Sequence, residues 1–126
     1  MTNTIFPIVQ YRDARAAIAF LIDAFGFTEA AVYGEGDTVA HAQLDWPAGG
    51  AVMLSTGGRE EGLEEHPVGV GSVYLVVAEP DALFERAVAA GATVSRGLRD
   101  EDYGSRGFTV RDPEGVFWSF GTYAGV

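Results

Sequence analysis

The 126-residue chain contains no cysteine, which excludes disulfide bonds, thiolate metal ligands and a cysteine nucleophile. Lysine is absent too, so eight arginines stand against 18 acidic residues and the net charge is −10. A surface of this sign repels the phosphates of nucleic acids, and we therefore expect no nucleic-acid partner. The same charge favours solubility and would attract a cationic small molecule.

Long hydrophobic runs are also missing, since no apolar stretch approaches the roughly 20 residues that span a bilayer. The first ten residues, MTNTIFPIVQ, lack the basic segment and apolar stretch of a secretory signal. We therefore expect a cytoplasmic protein without a membrane partner. The 48% hydrophobic composition is sufficient for a normal core.

What the chain does contain is an internal repeat. HAQLDWPAGGAVMLS (41–55) aligns with GFTVRDPEGVFWSFG (107–121) when one is shifted by 66 positions, which places Pro113 on Pro47 and Gly115 on Gly49. The same shift superimposes the first strand and the helix-like stretch of each half, with a slip of one residue where Gly26 meets Gly91. Three element types in the same order at one spacing predict a duplicated module.

Each half reads as strand, helix and three strands. The predicted strands are Ile5 to Tyr11, 28–34, 38–45 and 50–56 in the first half, and Ser72 to Val77, 93–96, 105–111 and 116–122 in the second. The helices start at Asp13 and at Glu79-Pro80-Asp81 and stop at Gly26 and Gly91. Their apolar stripes are Ala17, Ile18, Leu21, Ile22 and Phe25, and Leu83, Phe84, Ala87 and Val88.

This order predicts an α+β fold of two tandem βαβββ modules, with curved mixed sheets around a cleft and helices on the outer faces. The modules span about 4–56 and 71–123 of a single domain (1–126), and the acidic, glycine-rich segment 57–70 connects them.

Alternation along the strands divides each sheet into two faces. One face is apolar enough to lie under a helix, and there we expect Trp118 and Phe120 beneath the second helix. The other face mixes polar and apolar side chains, as a small-molecule pocket does. Packing against another subunit is the alternative interpretation of that face.

The paired modules and the phrase YGSRGFTVRDPEGVFWSFG (103–121), with its D-P-E-G turn, resemble the vicinal oxygen chelate superfamily. This superfamily includes glyoxalases, extradiol dioxygenases, fosfomycin-resistance enzymes and bleomycin-resistance proteins. The resemblance runs from Ile5 to Tyr123 and implies a homodimer whose modules pair across subunits.

The resemblance also implies where a metal would bind. Enzymes of the family hold a divalent ion with His, Glu or Gln on the first and last strands of each module, and the matching positions here are Phe6, Met53, Ser72 and Ser119. A benzyl group, a thioether and two hydroxyls are a poor donor set for such ions. We therefore expect no metal, no cofactor and no assigned catalytic residue. Neither histidine lies in a metal-binding pattern: His41 is on the mixed face, and His66 is in the acidic connector.

Three functional hypotheses follow. The first is a metal-free binding protein that sequesters a cationic or aromatic small molecule, as resemblance to bleomycin-resistance proteins suggests. The second is a glyoxalase-like lyase or isomerase, or a dioxygenase, with a displaced metal or with His41 as general base. The third is a structural or regulatory protein whose cleft is filled by its own side chains.

The candidate ligand-binding residues are Phe6, Ile8, Gln10, His41, Gln43, Met53, Ser72, Tyr74, Tyr103, Arg106, Arg111, Phe117 and Ser119. Tyr103 and Arg106 lie in a glycine-containing loop that can cover a pocket mouth, where Tyr103 would stack and Arg106 would pair with an anion. The alternative for Arg106 is an ion pair with the acidic cluster 100–102, and Arg111 could likewise contact a ligand or form an ion pair.

Overall fold

The computed structural model describes residues 3–57, 68–102 and 104–125, which form eight strands and two helices. The elements are β1 (Ile8–Tyr11), α1 (Ala14–Phe25), β2 (Thr28–Glu35), β3 (Thr38–Asp45), β4 (Ala51–Thr56), β5 (Ser72–Val76), α2 (Pro80–Ala89), β6 (Thr93–Asp100), β7 (Arg106–Arg111) and β8 (Phe117–Gly121). They build two four-stranded mixed sheets, ordered β1-β4-β3-β2 and β5-β8-β7-β6. The predicted α+β class and the two tandem modules are confirmed. Most of the connector, 58–67, lies outside the described residues.

The registers of the two sheets follow the shift found in the sequence. Met53 lies beside Ile8 and Gln43, and Ser119, 66 positions later, lies beside Tyr74 and Thr109. The outer strands show the slip of one residue, because Thr28 pairs with Asp45 whereas Thr93 pairs with Arg111. The repeat therefore extends to individual strand pairs.

Local signals place both helices. The Asp13 side chain accepts a hydrogen bond from the backbone N–H of Ala16 at 3.0 Å, as an N-cap does, and Gly26 closes α1 at a φ of 89°. Pro80 occupies the first turn of α2. This helix ends at Ala89, and Gly91 adopts a φ of 100° two residues later.

Some predicted bounds were wrong. The first strand begins at Ile8 rather than Ile5, because Pro7 has no N–H and the ladder opens at its carbonyl, which accepts from Met53 N at 2.9 Å. Strand β6 continues to Asp100 rather than ending near residue 96. It is an exposed edge strand with two register shifts, which disturb the alternation that marks a strand. The remaining strand ends agree with the prediction or differ by one residue.

One hydrophobic core serves both modules. Phe25, at the end of α1, packs on Trp118 and Phe120 with ring centroids 5.5 and 4.8 Å apart. Phe27 also contacts Trp118, at 5.7 Å. The expectation that Trp118 lies simply beneath the second helix was therefore wrong, since its aromatic neighbours come from the first module. Val88 also departs from the predicted stripe of α2, because its side chain is 43% exposed.

A buried carboxylate joins the two modules. Asp112, 4% exposed, accepts hydrogen bonds from the Tyr11 hydroxyl at 2.6 Å and from Trp118 Nε1 at 3.0 Å. Its other oxygen accepts from the backbone N–H groups of Glu114 and Val116 at 3.0 and 3.1 Å. Burial, and then the charge of Asp112, raise the pKa of the Tyr11 phenol far above its usual value. The shift favours the protonated phenol, which is the form that donates to Asp112.

The adjacent residue makes a second connection. The Glu114 carboxylate accepts from the backbone N–H groups of Arg12 and Asp13 at 2.7 and 2.8 Å, immediately before α1. A carboxylate at this end of a helix is favoured by the helix dipole. The turn of the second module thus fixes the start of the first module's helix.

We predict that Tyr11→Phe lowers the free energy of unfolding by about 1.5–3 kcal/mol, the usual contribution of a hydrogen bond to a charged group. The change removes one of the four donors to a carboxylate that has little access to water. Denaturant titration followed by circular dichroism measures the loss.

Tyr33→Phe is the matched control for that measurement. Its ring is exposed and its hydroxyl makes no hydrogen bond within the described residues. We expect it to change stability by about 0.5 kcal/mol or less. Equal losses in the two variants would contradict the role of Asp112.

Candidate functional site

The predicted mixed face of the first sheet is present, and it holds Ile8, His41, Gln43 and Met53. Ile8 and Gln43 flank Met53 on either side, and all three lie on the face opposite the core. Ile8 is exposed, whereas the other two side chains are half-buried. Phe6 precedes β1 and is half-buried. This part of the face is apolar, with Gln43 as its polar group.

His41 and Gln43 already have neighbours. The imidazole of His41 stacks on Tyr33 with ring centroids 6.2 Å apart and an interplanar angle of 16°. Gln43 Nε2 donates to Asp45 Oδ1 at 2.8 Å. Within the described residues no carboxylate orients His41, so the catalytic-base hypothesis gains no support from its surroundings.

Gln10 differs from the expectation of a polar ligand contact at the cleft. Its side chain is only 1% exposed, and its Oε1 has no hydrogen-bond partner. The outer edge of β1 is covered at this point, since Gln10 pairs with Val68 and its carbonyl accepts from Gly69 N at 2.9 Å. Gln10 therefore does not face open solvent.

The mixed face of the second sheet holds two rows of predicted residues. In the first row Tyr74 lies beside Ser119, whose Oγ is 2.8 Å from the hydroxyl of Thr109. The Tyr74 hydroxyl donates to the carbonyl of Tyr123 at 2.7 Å.

In the second row, Ser72 and Arg111 flank Phe117. The guanidinium carbon of Arg111 lies 5.4 Å from the centre of the Phe117 ring, a cation–π contact. All three side chains are exposed. The sequence analysis gave Arg111 either a ligand contact or an ion pair. Within the described residues Arg111 forms no ion pair.

A pocket of about 170 Å³, which we call the hydroxyl pocket, opens on this face. It is lined by Tyr74, Arg96, Glu101, Ser105, Gly107, Phe108, Thr109, Ser119, Phe120 and Gly121. Sequence analysis identified Tyr74 and Ser119 but missed Arg96 and Glu101. Arg96 lay within the predicted strand 93–96, but the exposed residues and register shifts of β6 give no alternation that would have placed it on this face.

A cross-strand pair of glycines keeps the hydroxyl pocket open. Gly107 and Gly121 lie opposite each other on β7 and β8. A Cβ at Gly121 would come within 2.7 Å of the Tyr74 hydroxyl and 3.2 Å of Ser105 Oγ, and a Cβ at Gly107 would overlap the backbone of Phe120. A side chain at either position would therefore occupy the pocket or displace its wall.

Arg106 forms the ion pair that sequence analysis gave as its alternative role. Its guanidinium donates to both carboxylate oxygens of Asp81 at 2.8 and 3.0 Å and lies 3.4 Å from Asp100. The hydrogen bond from Arg106 lowers the pKa of Asp81. Asp81 was missed as a partner because it lies 25 residues away, in the first turn of α2. Tyr103, the other loop candidate, lies outside the described residues.

The candidates on the two sheets stay separate within the chain. Within residues 3–57, 68–102 and 104–125, no hydrogen bond or ring contact links the face around Met53 to the face around Ser119. The modules meet instead through α1, α2 and the aromatic rings of the core. Each mixed face therefore lies on the side of its sheet that is turned away from the shared core.

A second, larger depression lies between the modules. This seam groove, of about 410 Å³, runs along β5 and is lined mainly by apolar residues, among them Ile5, Pro7, Phe27, Trp46, Val73 and Tyr74. Trp46 Nε1 donates to the carbonyl of Val76 at 3.4 Å across it. Sequence analysis foresaw only Tyr74 here, because the groove depends on how the two modules pack.

The four positions implied for a metal do not fit one. Phe6 has no donor atom, Met53 offers a thioether, and Ser72 and Ser119 are neutral hydroxyls, of which Ser119 already bonds Thr109. Within the described part of the chain, no group of three or more His, Cys, Asp or Glu side chains is placed to hold an ion. Nor is any helix there long and apolar enough to cross a membrane.

Comparison with known proteins agrees with this architecture. Residues 4–120 match the model of the Glyoxalase/Bleomycin resistance protein/Dioxygenase superfamily. The chain therefore belongs to that superfamily, which confirms the resemblance read from the sequence.

Three individual proteins are similar to this chain. The chain is 37% identical over 122 residues to the uncharacterized protein Mb0911c of Mycobacterium bovis, covering 91% of this chain and 80% of that protein. TioX from Micromonospora sp. ML1 has a similar structure, with a TM-score of 0.80, 31% identity and coverage of 95% and 98% of the two chains. A glyoxalase/bleomycin resistance protein from Catenulispora acidiphila shares the fold, with a TM-score of 0.69, 23% identity and coverage of 95% and 97%.

We predict that protein purified without chelators contains far less than one equivalent of zinc, nickel, manganese or iron, because the four positions offer no suitable donor set. Elemental analysis by mass spectrometry measures the content after removal of any affinity tag. EDTA should leave the melting temperature unchanged. One equivalent of metal that survives dialysis, with a lower melting temperature after chelation, would refute the prediction.

Proposed function

We propose that this chain is a metal-free binding protein for a small molecule that carries an aromatic group. The observation that carries the proposal is the environment of the Ser119 side chain. This residue occupies a position where the family's enzymes hold a metal, yet it bonds Thr109 and lines the hydroxyl pocket. One of the four metal positions thus lines a cavity while carrying a side chain that is a poor metal donor.

The surroundings of the pocket support an aromatic occupant. Tyr74 and Phe117 are exposed on the same face, and exposed apolar groups rimmed by polar ones mark binding surfaces. Hydroxyls and a guanidinium near those rings can fix the orientation of a ligand, as in most small-molecule sites. The net charge of the chain favours a cationic ligand, but the charged side chains at this pocket do not.

The binding function is favoured over the glyoxalase-like lyase, isomerase or dioxygenase. Such an enzyme needs either an electrophilic ion or a positioned base. The donor set fits no ion, and His41 stacks on Tyr33 without an orienting partner in the described residues. Among residues 3–57, 68–102 and 104–125, no specific contact supports a catalytic step.

The proposal includes a homodimer. The two mixed faces do not meet within one chain, so a second copy is needed to enclose a ligand between them. Strand β5, Ser72–Val76, forms one edge of its sheet and carries neither charge nor proline to block pairing. Covering such an edge and the apolar seam groove beside it favours association.

We predict saturable binding of at least one member of a panel of aromatic and cationic compounds, screened by thermal shift and measured by calorimetry. Ser119→Leu should weaken that binding roughly tenfold or more, because the larger side chain fills the pocket and removes a polar contact. Ser95→Leu, the same change on the exposed edge strand β6, is the matched control and should bind normally. No saturable binding across the panel, or equal effects of both variants, would refute the function.

We also predict a mass of twice the 13.4 kDa chain in light scattering coupled to size-exclusion chromatography. Ile8→Glu should shift the protein toward the monomer, because it places a charge on the mixed face of the first sheet. Val88→Glu is the control, since Val88 is 43% exposed and Ile8 50%, but Val88 lies on α2. A monomeric parent protein, or dissociation by Val88→Glu alone, would contradict this arrangement.

A further inference from the structure

We propose that the molecule bound at the hydroxyl pocket carries a small anionic group, such as a carboxylate, which Arg96 and Arg111 recognise. This inference rests on the proposed binding function and names the chemistry of its ligand. It also runs against the net charge of −10, which alone would favour a cation. The local arrangement of charged groups is therefore what has to carry it.

The first observation is an unequal charge cluster beside the pocket. Arg96 Nη2 and Arg99 Nε both donate to the same oxygen of Glu101, at 2.6 and 2.7 Å, and Arg99 Nη2 reaches the second oxygen at 3.2 Å. Two guanidinium groups thus share one carboxylate, which leaves the cluster with a net charge of +1. Arg96 lines the pocket and retains N–H donors that Glu101 does not use.

The second observation is Arg111 on the same face. Its pairing partners are Thr93 and Phe117, one row along from the row of Arg96, Thr109 and Ser119. Arg111 has no carboxylate within ion-pair distance in the described residues, and its contact is with the Phe117 ring. A guanidinium held over an aromatic ring is oriented without being neutralised, so it can pair with an incoming anion.

The hydroxyls complete the site. Thr109 and Ser119 share one hydrogen bond, so one of their two hydroxyl protons is left to donate to a ligand. Carboxylates accept such bonds together with those from guanidinium, and charge-assisted bonds of this kind are the stronger ones. Tyr74 lines the pocket and Phe117 is exposed one row along on the same face, so the face offers aromatic contacts to a ring that bears a carboxylate.

Placement matters because the rest of the chain is acidic. Four of the eight arginines, Arg96, Arg99, Arg106 and Arg111, lie within one 16-residue segment. Arg106 forms ion pairs with Asp81 and Asp100. The other three arginines belong to the mixed face. An anion is therefore repelled by most of the surface and attracted here.

Benzoate, benzamide and benzamidinium test the proposal, because they share one shape and carry charges of −1, 0 and +1. Each is titrated into ¹⁵N-labelled full-length protein, and the amide resonances of Gly107, Thr109, Ser119 and Gly121 are followed. Benzoate should shift these resonances saturably and bind about tenfold more tightly than benzamide. Its affinity should fall with added salt, whereas that of benzamide should not.

Arg96→Gln should weaken benzoate binding about three- to tenfold and leave benzamide unaffected, because one charge-assisted contact at a partly exposed site is lost. Arg12→Gln, the same change of charge on the exposed Arg12 outside the pocket, should leave both affinities unaltered. If Arg96→Gln does not fold, as judged by circular dichroism, Arg111→Gln takes its place with the same expectation.

The outcomes separate this inference from the proposed function. Equal or tighter binding of benzamide or benzamidinium at these resonances overturns the anionic preference and leaves the binding function standing. Benzoate binding that survives both arginine variants and added salt overturns it as well. No response to any of the three probes overturns the anion site, whereas the binding function is decided by the broader panel.

Discussion

The structure depends on a carboxylate that has been taken out of water. A buried Asp112 is tolerated only if its oxygens receive donors, and those donors come from both modules. Tyr11 belongs to the first module, whereas Trp118 and the turn N–H groups belong to the second. Separating the modules would deprive the Asp112 carboxylate of the hydrogen bond from Tyr11. The turn therefore determines how the two halves of the repeat are joined.

That junction decides which surfaces remain for function. Glu114 holds the start of α1, and Phe25 at the other end of the helix packs on Trp118 and Phe120. The apolar faces of both sheets are consequently buried in one core. The mixed faces, with Met53 on one sheet and Ser119 on the other, are left outside it. A binding site on either sheet would therefore have to lie on the mixed face, because the apolar face is buried.

Much of this could be predicted from the sequence, and what was missed has common causes. The repeat at a spacing of 66 residues predicted the corresponding strand registers, because each module repeats the same local pattern. The contact between Tyr11 and Asp112 spans 101 residues, and no local pattern encodes it. The position of Trp118 between the modules follows from the same junction. Arg96 escaped because an exposed edge strand carries no alternation of buried and exposed residues.

The alternation of the strands also explains how the residues of a mixed face can change while the fold remains intact. Met53 and Ser119 each precede a core residue, Leu54 and Phe120, whose side chain points to the opposite face. A change of donor at the first position leaves the packing of the second untouched, so selection on the site and on the core can act separately. At this face the second module carries two cross-strand glycines, a pair of hydroxyls and two guanidinium groups that share one carboxylate. Hydroxyl and guanidinium donors suit an anionic or polar group, which is the chemistry that we propose for a ligand at this face.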